Sequence, residues 1–338
     1  MPDDFSRCGV CAFTSAVSAE DVELLRRDCG RLRANYEDEA LCELSCVLEA
    51  EDALLMHSRC DGEEYLVTRG TPAADRDSMR ALLLCKLPAL VIAALDSASA
   101  VADLRLFNEH FVVKPARIAS SFRWHTDAAH QLEALCAVAG AHNLPEYVSV
   151  WIPLDDLHGD GSNGALTLLP LDAPQPPDGD PMQPASAAAE RWLHEHARGH
   201  VLSSRGLRAG DAIIFSSRLW HMSEPNLSAC ERRVHYSQYS IGPIGGAAAP
   251  LALAVPVARG HAGAEPPPSL QSSSLRRLRP ATEECGKRAR EVTYAVTPRV
   301  ADGAEPGAED PHLPPAEAKL CKSEIQTTET DKRLNAPV

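Results

Sequence analysis

The sequence predicts a mainly β protein with flanking helices, an α+β chain built on a jelly roll or sandwich, and three observations predict it. Before about residue 100, apolar residues recur at helical spacing. From about Val101 the pattern becomes strand-like, in short β-branched and aromatic runs. Gly, Asp and Pro-rich turns separate those runs, as expected where many short strands fold back on one another. The expected layout is a domain over 1–255, with a helical part over 1–100 and a β core over 101–245, followed by a low-complexity tail over 256–338.

Residues 5–16 read as a short strand or arm. Ser18 then suits the N-cap of a helix whose first turn carries Glu20 and Asp21, acids favoured at the positive end of the helix dipole. Val22, Leu25 and Leu32 give that helix an apolar stripe to about Ala34. A second helical run is expected over Glu39–Met56, a strand over residues 60–71 ending at Gly70, and a helix over residues 75–95 interrupted at Pro88. Strands are expected over Arg105–Val113, Ser120–Asp127, Tyr147–Leu154, Ala165–Leu169, Ala212–Phe215 and Arg233–Ile241, with a turn over Asp155–Asn163. Five prolines make residues 171–184 an extended loop, followed by a short helix over Ala185–Ala197. An insertion there suits either a substrate lid or a surface excursion. Beyond Tyr239 the only aromatic residue is Tyr294, so residues 262–338 lack the apolar surface to offset their ordering entropy and read as mostly disordered. The basic patch over Leu275–Arg290 reads as part of a solvated tail rather than a localisation signal.

Composition narrows the function. The 338 residues are 44% hydrophobic, enough for a core, and carry a net charge of −14. An acidic chain is a poor general binder of nucleic acid or anionic membrane. The longest apolar stretch, near Ala81–Ala94, is broken by Lys86 and Pro88, so no membrane span is expected. The N-terminus lacks a signal pattern and the C-terminus lacks the peroxisomal tripeptide, so the expected location is cytoplasmic. Eleven scattered cysteines then read as free thiols. Cys8-x-x-Cys11 with Cys42-x3-Cys46 could form a four-thiolate zinc site, but ordinary packing is the better reading.

The chemistry centres on Phe122-Arg123-Trp124-His125-Thr126-Asp127. On a strand, side chains alternate between faces, so His125 and Asp127 share one and Phe122, Trp124 and Thr126 the other. His221 is the best third partner. Two imidazoles and one carboxylate on one side of a metal leave open positions opposite, the arrangement of non-haem Fe(II) oxygenases. Ser223 lies two residues after His221, and Arg232 eleven after it. A guanidinium fork with a hydroxyl beside it would grip the distal carboxylate of a dicarboxylic co-substrate. Arg233 is adjacent but points the other way, and Trp151 could wall the pocket.

Taken in order, His125-x-Asp127, Val150-Trp151-Ile152-Pro153-Leu154, Asn163-Gly164-Ala165-Leu166, Gly210-Asp211, His221-x-Ser223 and Arg232 resemble the phytanoyl-CoA dioxygenase family, over about residues 5–241. The resemblance implies a double-stranded β-helix (a cupin-like jelly roll) using Fe(II), 2-oxoglutarate and O2. It implies His125, Asp127 and His221 as metal ligands, Arg232 and Ser223 as 2-oxoglutarate contacts, and Trp151 in the pocket. The expected reaction is hydroxylation of an unactivated C–H in a small-molecule or lipid/acyl substrate, with release of succinate and CO2. The sequence departs from the family after Leu166: where members run Pro-Gly-Ser-His, Pro170 is followed by Leu171-Asp172-Ala173. That bears on the substrate more than on the iron site.

Other histidines have plainer readings. His158-Gly159-Asp160 repeats the triplet inside a glycine-rich turn. His194 and His196 point in different directions on a helix. His130 and His142 suit the pocket or the surface equally. Trp124 and Trp220 read as packing residues. Lys114, Arg117 and Arg123 hint at a basic rim for an acyl-CoA. Two alternatives stay open: a catalytically silent jelly-roll scaffold, and a cupin-type metal enzyme that uses no 2-oxoglutarate.

Overall fold

The computed structural model describes residues 3–34, 46–49, 62–95, 104–129 and 146–242, with the pairs 255–256 and 279–280. Among the described residues, twelve strands build two antiparallel sheets. The larger contains β1 (Val10–Phe13), β2 (Cys46–Glu49), β3 (Leu104–Lys114), β5 (Tyr147–Pro153), β8 (Ala212–Ser216), β10 (Arg232–Ile241) and β11 (Val255–Pro256). The smaller contains β4 (Phe122–His125), β6 (Leu166–Leu168), β7 (Leu202–Ser203), β9 (His221–Ser223) and β12 (Arg279–Pro280).

Between β3 and β10 the chain passes back and forth between the sheets. The order β8-β5-β10-β3 faces the order β7-β6-β9-β4, which is a double-stranded β-helix. Alternation along β5 sends Val148, Val150 and Ile152 outward to the helices, and Trp151 inward with Leu166, Leu168, Phe215 and Val234.

The helices cover the outer face of the larger sheet. They are α1 (Asp3–Cys8), α2 (Ala19–Ala34), α3 (Gly62–Thr68), α4 (Arg76–Ala81) and α5 (Leu87–Leu95). Ser18 caps α2 in a reciprocal box: its Oγ accepts from the Asp21 amide at 3.2 Å and donates to the Asp21 carboxylate at 3.0 Å. The strand expected over 60–71 is instead α3, closed by Gly70 at φ +71°. The cause is non-local: Tyr65 and Arg69, one helical turn apart, both reach Glu109 on β3. Of the helix expected over Glu39–Met56, residues 46–49 form β2 against β3, and the rest lies outside the described residues.

The interruption expected at Pro88 falls just before it, as a π-helical turn over Leu82–Lys86. Pro88 has no N–H to donate back to that turn. The Leu83 carbonyl instead accepts from the Tyr239 hydroxyl at 2.8 Å. By length and composition the helical rod Ala73–Leu95 could cross a membrane, but half of its most apolar window is buried in the fold. Leu83, Leu87 and Val91 are fully buried in the core between helices and sheet.

That interface also contains charge. The Arg69 Nη2 lies 2.7 Å from both Asp28 and Glu109, and His235 Nε2 lies 3.1 Å from Glu109. Burial would raise the Glu109 carboxyl, but the Arg69 charge, with His235 and the Tyr65 hydroxyl, outweighs it and lowers the group to about 2. The network ties α2 and α3 to β3 and β10.

The expected loop over 171–184 and helix, here α6 (Ala187–His196), are present, with Ser186 accepting from the Ala189 amide as N-cap. This insertion packs on the outer face of the smaller sheet, where Leu193 and Ala197 meet Trp124, Leu169 and Trp220. Its described residues therefore brace the sheet from behind. β11 straddles the expected domain boundary at 255/256, and β12 pairs with β7 inside the stretch expected to be disordered. The remainder of that tail, with most of its basic patch, lies outside the described residues.

Candidate metal and 2-oxoglutarate site

Three side chains converge inside the barrel. One ligand atom from each of His125, Asp127 and His221 lies within 4.8 Å of the others. His125 ends β4 opposite His221 on β9, with ring centroids 4.2 Å apart. Asp127 is not on the strand: it follows Thr126 in a helical turn over 127–129. Nor do Phe122 and Trp124 share a face as expected. The register shifts between Phe122 and His125, so Phe122 lies over Lys114 (5.2 Å) while Trp124 packs outward with Trp220.

Both imidazoles are oriented by backbone. His125 Nδ1 is 2.6 Å from the Arg123 carbonyl, and His221 Nδ1 is 2.9 Å from the Leu219 carbonyl. A carbonyl only accepts, so each Nδ1 carries a proton, and Nε2 is the nitrogen left to meet a cation. The Oδ2 of Asp127 accepts from the Ser149 hydroxyl at 2.5 Å and from the Tyr236 hydroxyl. Its Oδ1 faces His221 Nε2 at 3.6 Å. Burial would raise this carboxyl, but the two imidazoles and the two hydroxyls outweigh it and hold it below the usual range.

Strand register orders the rest of the bore. Along β3 and β10 the facing pairs are Lys114 with Arg232, Val112 with Val234, His110 with Tyr236 and Asn108 with Gln238. Lys114 and Arg232 form the cationic end, and Tyr236 marks the level of Asp127. Arg232 is 1% exposed, and its Nη2 donates to the Gly164 carbonyl at 2.8 Å. Its Nε and Nη1 have no hydrogen-bond partner, and neither does the buried Ser223 Oγ. Unpaired buried donors of this kind fit an anionic ligand with a carboxylate end. Burial lowers the Arg232 pKa to about 10, against an opposing pull from Asp155. Trp151 walls the same end, its ring 5.9 Å from the guanidinium. Gly164 is required there: φ is +85°, and an added Cβ would lie 2.9 Å from the Glu224 carbonyl and 3.1 Å from Lys114.

Arg233 points outward and forks onto Asp155 at 2.6 and 3.0 Å. Lys114 does not join a rim with Arg117 and Arg123. It is fully buried and donates to the carbonyls of Ser120, Ser223 and Glu224, whereas Arg117 and Arg123 are exposed. Burial and the neighbouring Arg232 charge push the Lys114 ammonium well below its ordinary pKa. Ser149 and Tyr236 escaped the sequence reading, which placed Lys114 on a rim. Tyr236 had a signal, since counting by twos from Arg232 reaches it on the same face.

The decoys fall away. His158 and Asp160 hydrogen bond to Ser162 within their own turn. His194 and His196 are exposed on α6, His196 stacked on Trp192. His130, His142 and Cys42 lie outside the described residues. Cys8 and Cys11 are buried in different apolar clusters, and among the described residues the two-histidine, one-aspartate group is the only candidate metal cluster. The departing loop is tied to the N-terminus: the Leu171 amide donates to the Cys8 carbonyl at 2.9 Å, and Asp172 pairs with Arg7.

A double-stranded β-helix with two imidazoles and a carboxylate converging in its bore defines a class, that of barrel proteins with a candidate mononuclear metal centre. The chain belongs to the phytanoyl-CoA dioxygenase family, whose profile matches residues 5–234. Fe(II) and 2-oxoglutarate are the cofactors of that family, and the donor sets above fit both. The comparison with curated proteins gives no significant match. Similar solved structures include AviO1 from Streptomyces viridochromogenes Tue57, 19% identical, TM-score 0.47, covering 72% of this chain and 95% of that one. The carbocyclase SnoK from nogalamycin biosynthesis is 17% identical, TM-score 0.48, with 71% and 82% covered. EctD from S. alaskensis, solved with 2-oxoglutarate and 5-hydroxyectoine, is 16% identical, TM-score 0.46, with 71% and 74% covered. Nothing about this chain's substrate follows from likenesses at that level.

Proposed function

We propose that this chain is an Fe(II)- and 2-oxoglutarate-dependent hydroxylase of a small-molecule or lipid/acyl substrate. In this reading His125, Asp127 and His221 hold iron, and Arg232, Ser223 and Trp151 form the far end of the co-substrate pocket. One observation carries it: a convergent His, Asp, His group and a buried guanidinium with two unpartnered donor nitrogens share one bore.

Bound iron and 2-oxoglutarate would supply the oxidising chemistry, in which O2 is consumed, 2-oxoglutarate leaves as succinate and CO2, and one oxygen atom enters a substrate C–H bond. The chain's own residues orient and exclude. The Arg123 and Leu219 carbonyls keep both imidazoles in the ligating tautomer. Asp127 would supply the carboxylate ligand that a halogenase lacks. Lys114 and Arg232 offer paired positive charge to a distal carboxylate, and Trp151, Phe215 and Val234 keep that end dry.

The walls above the metal level favour a polar substrate within the proposed range. There Asn108 faces Gln238, and Ser240 faces Tyr147. The Tyr147 hydroxyl is buried without a partner. Amides and hydroxyls suit a hydrogen-bonding small molecule better than a long hydrocarbon chain.

The test is anaerobic reconstitution with Fe(II), then addition of O2 and carboxyl-labelled 2-oxoglutarate. Labelled CO2 and succinate are expected from the wild type and not from His221→Ala, with larger release from a polar metabolite panel than from acyl-CoAs. A protein that binds neither Fe(II) nor 2-oxoglutarate by calorimetry would be the silent scaffold. Substrate oxidation without 2-oxoglutarate would make it a metal enzyme of another kind.

A further inference from the structure

The second oxygen of Asp127 is held by a directed hydrogen-bond chain. Asp127 as a carboxylate only accepts, so the Ser149 hydroxyl must donate to its Oδ2, at 2.5 Å. Having spent its proton, Ser149 must accept from Gln238, whose Nε2 lies 3.3 Å from Ser149 Oγ. That fixes the Gln238 amide with its Oε1 toward Asn108, whose Nδ2 donates to it at 2.9 Å. Tyr236 donates to the same Oδ2 from the other side. It is in turn held by His110, stacked on it with centroids 4.6 Å apart, and by the edge of Phe215. Ser149, Tyr236 and Gln238 are buried.

We propose that Ser149 and Tyr236 are positioning residues that keep Asp127 a one-oxygen ligand, with Gln238 and Asn108 setting the direction of the Ser149 hydroxyl. This rests on the metal reading above and deepens it. With Oδ2 engaged twice, Oδ1 is the oxygen left facing the His221 Nε2, so a bound ion would meet one donor atom from Asp127 and keep further positions for co-substrate and O2. Without those hydroxyls the carboxylate is free to rotate, and Oδ1 is no longer held toward the imidazoles.

The experiment measures Mn(II) binding to metal-stripped full-length protein by calorimetry and by the electron paramagnetic resonance of the bound ion, without turnover. Ser149→Ala and Tyr236→Phe are each expected to weaken Mn(II) about 10- to 100-fold, the range for residues that orient a ligand. Ser149→Thr keeps the hydroxyl and is expected to return affinity to within about threefold of wild type. The metal-free melting temperature, read in parallel, separates positioning from loss of fold. Should Ser149→Ala melt near the assay temperature, Gln238→Met leaves Ser149 present but undirected, and is expected to weaken Mn(II) several-fold. Wild-type affinity and an unchanged spectrum in Ser149→Ala and Tyr236→Phe would overturn the positioning role while leaving the metal site intact. Failure of the wild type itself to bind Mn(II) or Fe(II) would sink the metal reading, and this proposal with it.

Discussion

Lys114 and Arg232 are register partners across β3 and β10, both buried, and neither is salt-bridged to a carboxylate among the described residues. Two adjacent buried basic groups have lost their hydration and disfavour each other's charge, a penalty that an arriving anion relieves. The site is thus arranged to gain from binding a carboxylate.

Arg232→Ala is therefore expected to raise the dissociation constant for 2-oxoglutarate by at least about 100-fold, in line with about 3–5 kcal/mol for removing one partner of a buried ion pair. Arg233→Ala removes a half-exposed pair with Asp155, worth about 0–1 kcal/mol, and is expected to leave that constant nearly unchanged. Calorimetry on both variants with Mn(II) present checks this, and the reverse ranking would reassign the site.

Lys114→Met separates stability from binding. The change removes one of two repelling buried groups but strands the carbonyls of Ser120, Ser223 and Glu224, so the two effects oppose and metal-free stability is expected to change by no more than about 1–3 kcal/mol. The same change is expected to weaken 2-oxoglutarate about tenfold or more. Urea unfolding with and without ligand reads both effects, and a variant that binds 2-oxoglutarate as tightly as the wild type would contradict the account.

The Glu109 network sets an acid limit. Its carboxyl is lowered from 4.5 to about 2 in the fold, so the folded state binds this proton less readily than the unfolded chain does. The resulting stabilisation is complete above the unfolded pKa and is lost as pH falls from about 4.5 toward 2. Glu109→Gln is expected to flatten stability against pH in that window. It is also expected to cost about 1–3 kcal/mol at neutral pH, because Arg69 keeps Asp28 but loses its second carboxylate. Denaturant titrations between pH 2 and 7 test both parts.

Thr126 links the insertion to the metal turn. Its hydroxyl donates to the Pro181 carbonyl at 2.6 Å and accepts from the Ala129 amide at 3.3 Å, across the turn that carries Asp127. Thr126→Val is expected to cost about 1–3 kcal/mol by stranding buried polar partners. It is also expected to weaken Mn(II), while Thr126→Ser does neither. Unchanged metal affinity in the valine variant would mean the insertion does not govern Asp127.

These residues also mark what sequence alone could convey. Tyr147–Pro153 was legible because β-branched and aromatic residues dominate it, and His125, His221 and Arg232 because their order along the chain resembles the phytanoyl-CoA dioxygenase family. Asp127 sits in a turn rather than on the strand, yet two residues beyond the end of β4 it still comes within 4.8 Å of the His125 and His221 ligand atoms. Residues 62–68 were misread because Tyr65 and Arg69 take their helical conformation from a carboxylate 40 or more positions away on β3. Lys114 looked like a surface charge, since only the packing of β10 against β3 makes it interior. The insertion's bracing role depended on which side of the smaller sheet it covered, which no local pattern encodes.

Trp124 immediately precedes His125, Trp220 immediately precedes His221, and both indoles are buried together beneath α6 on the far side of the strands that carry the imidazoles. The protein therefore contains its own optical probe. A paramagnetic cation in the bore would lie one peptide unit from two shielded emitters, so quenching of intrinsic fluorescence can follow loading in real time without an added dye.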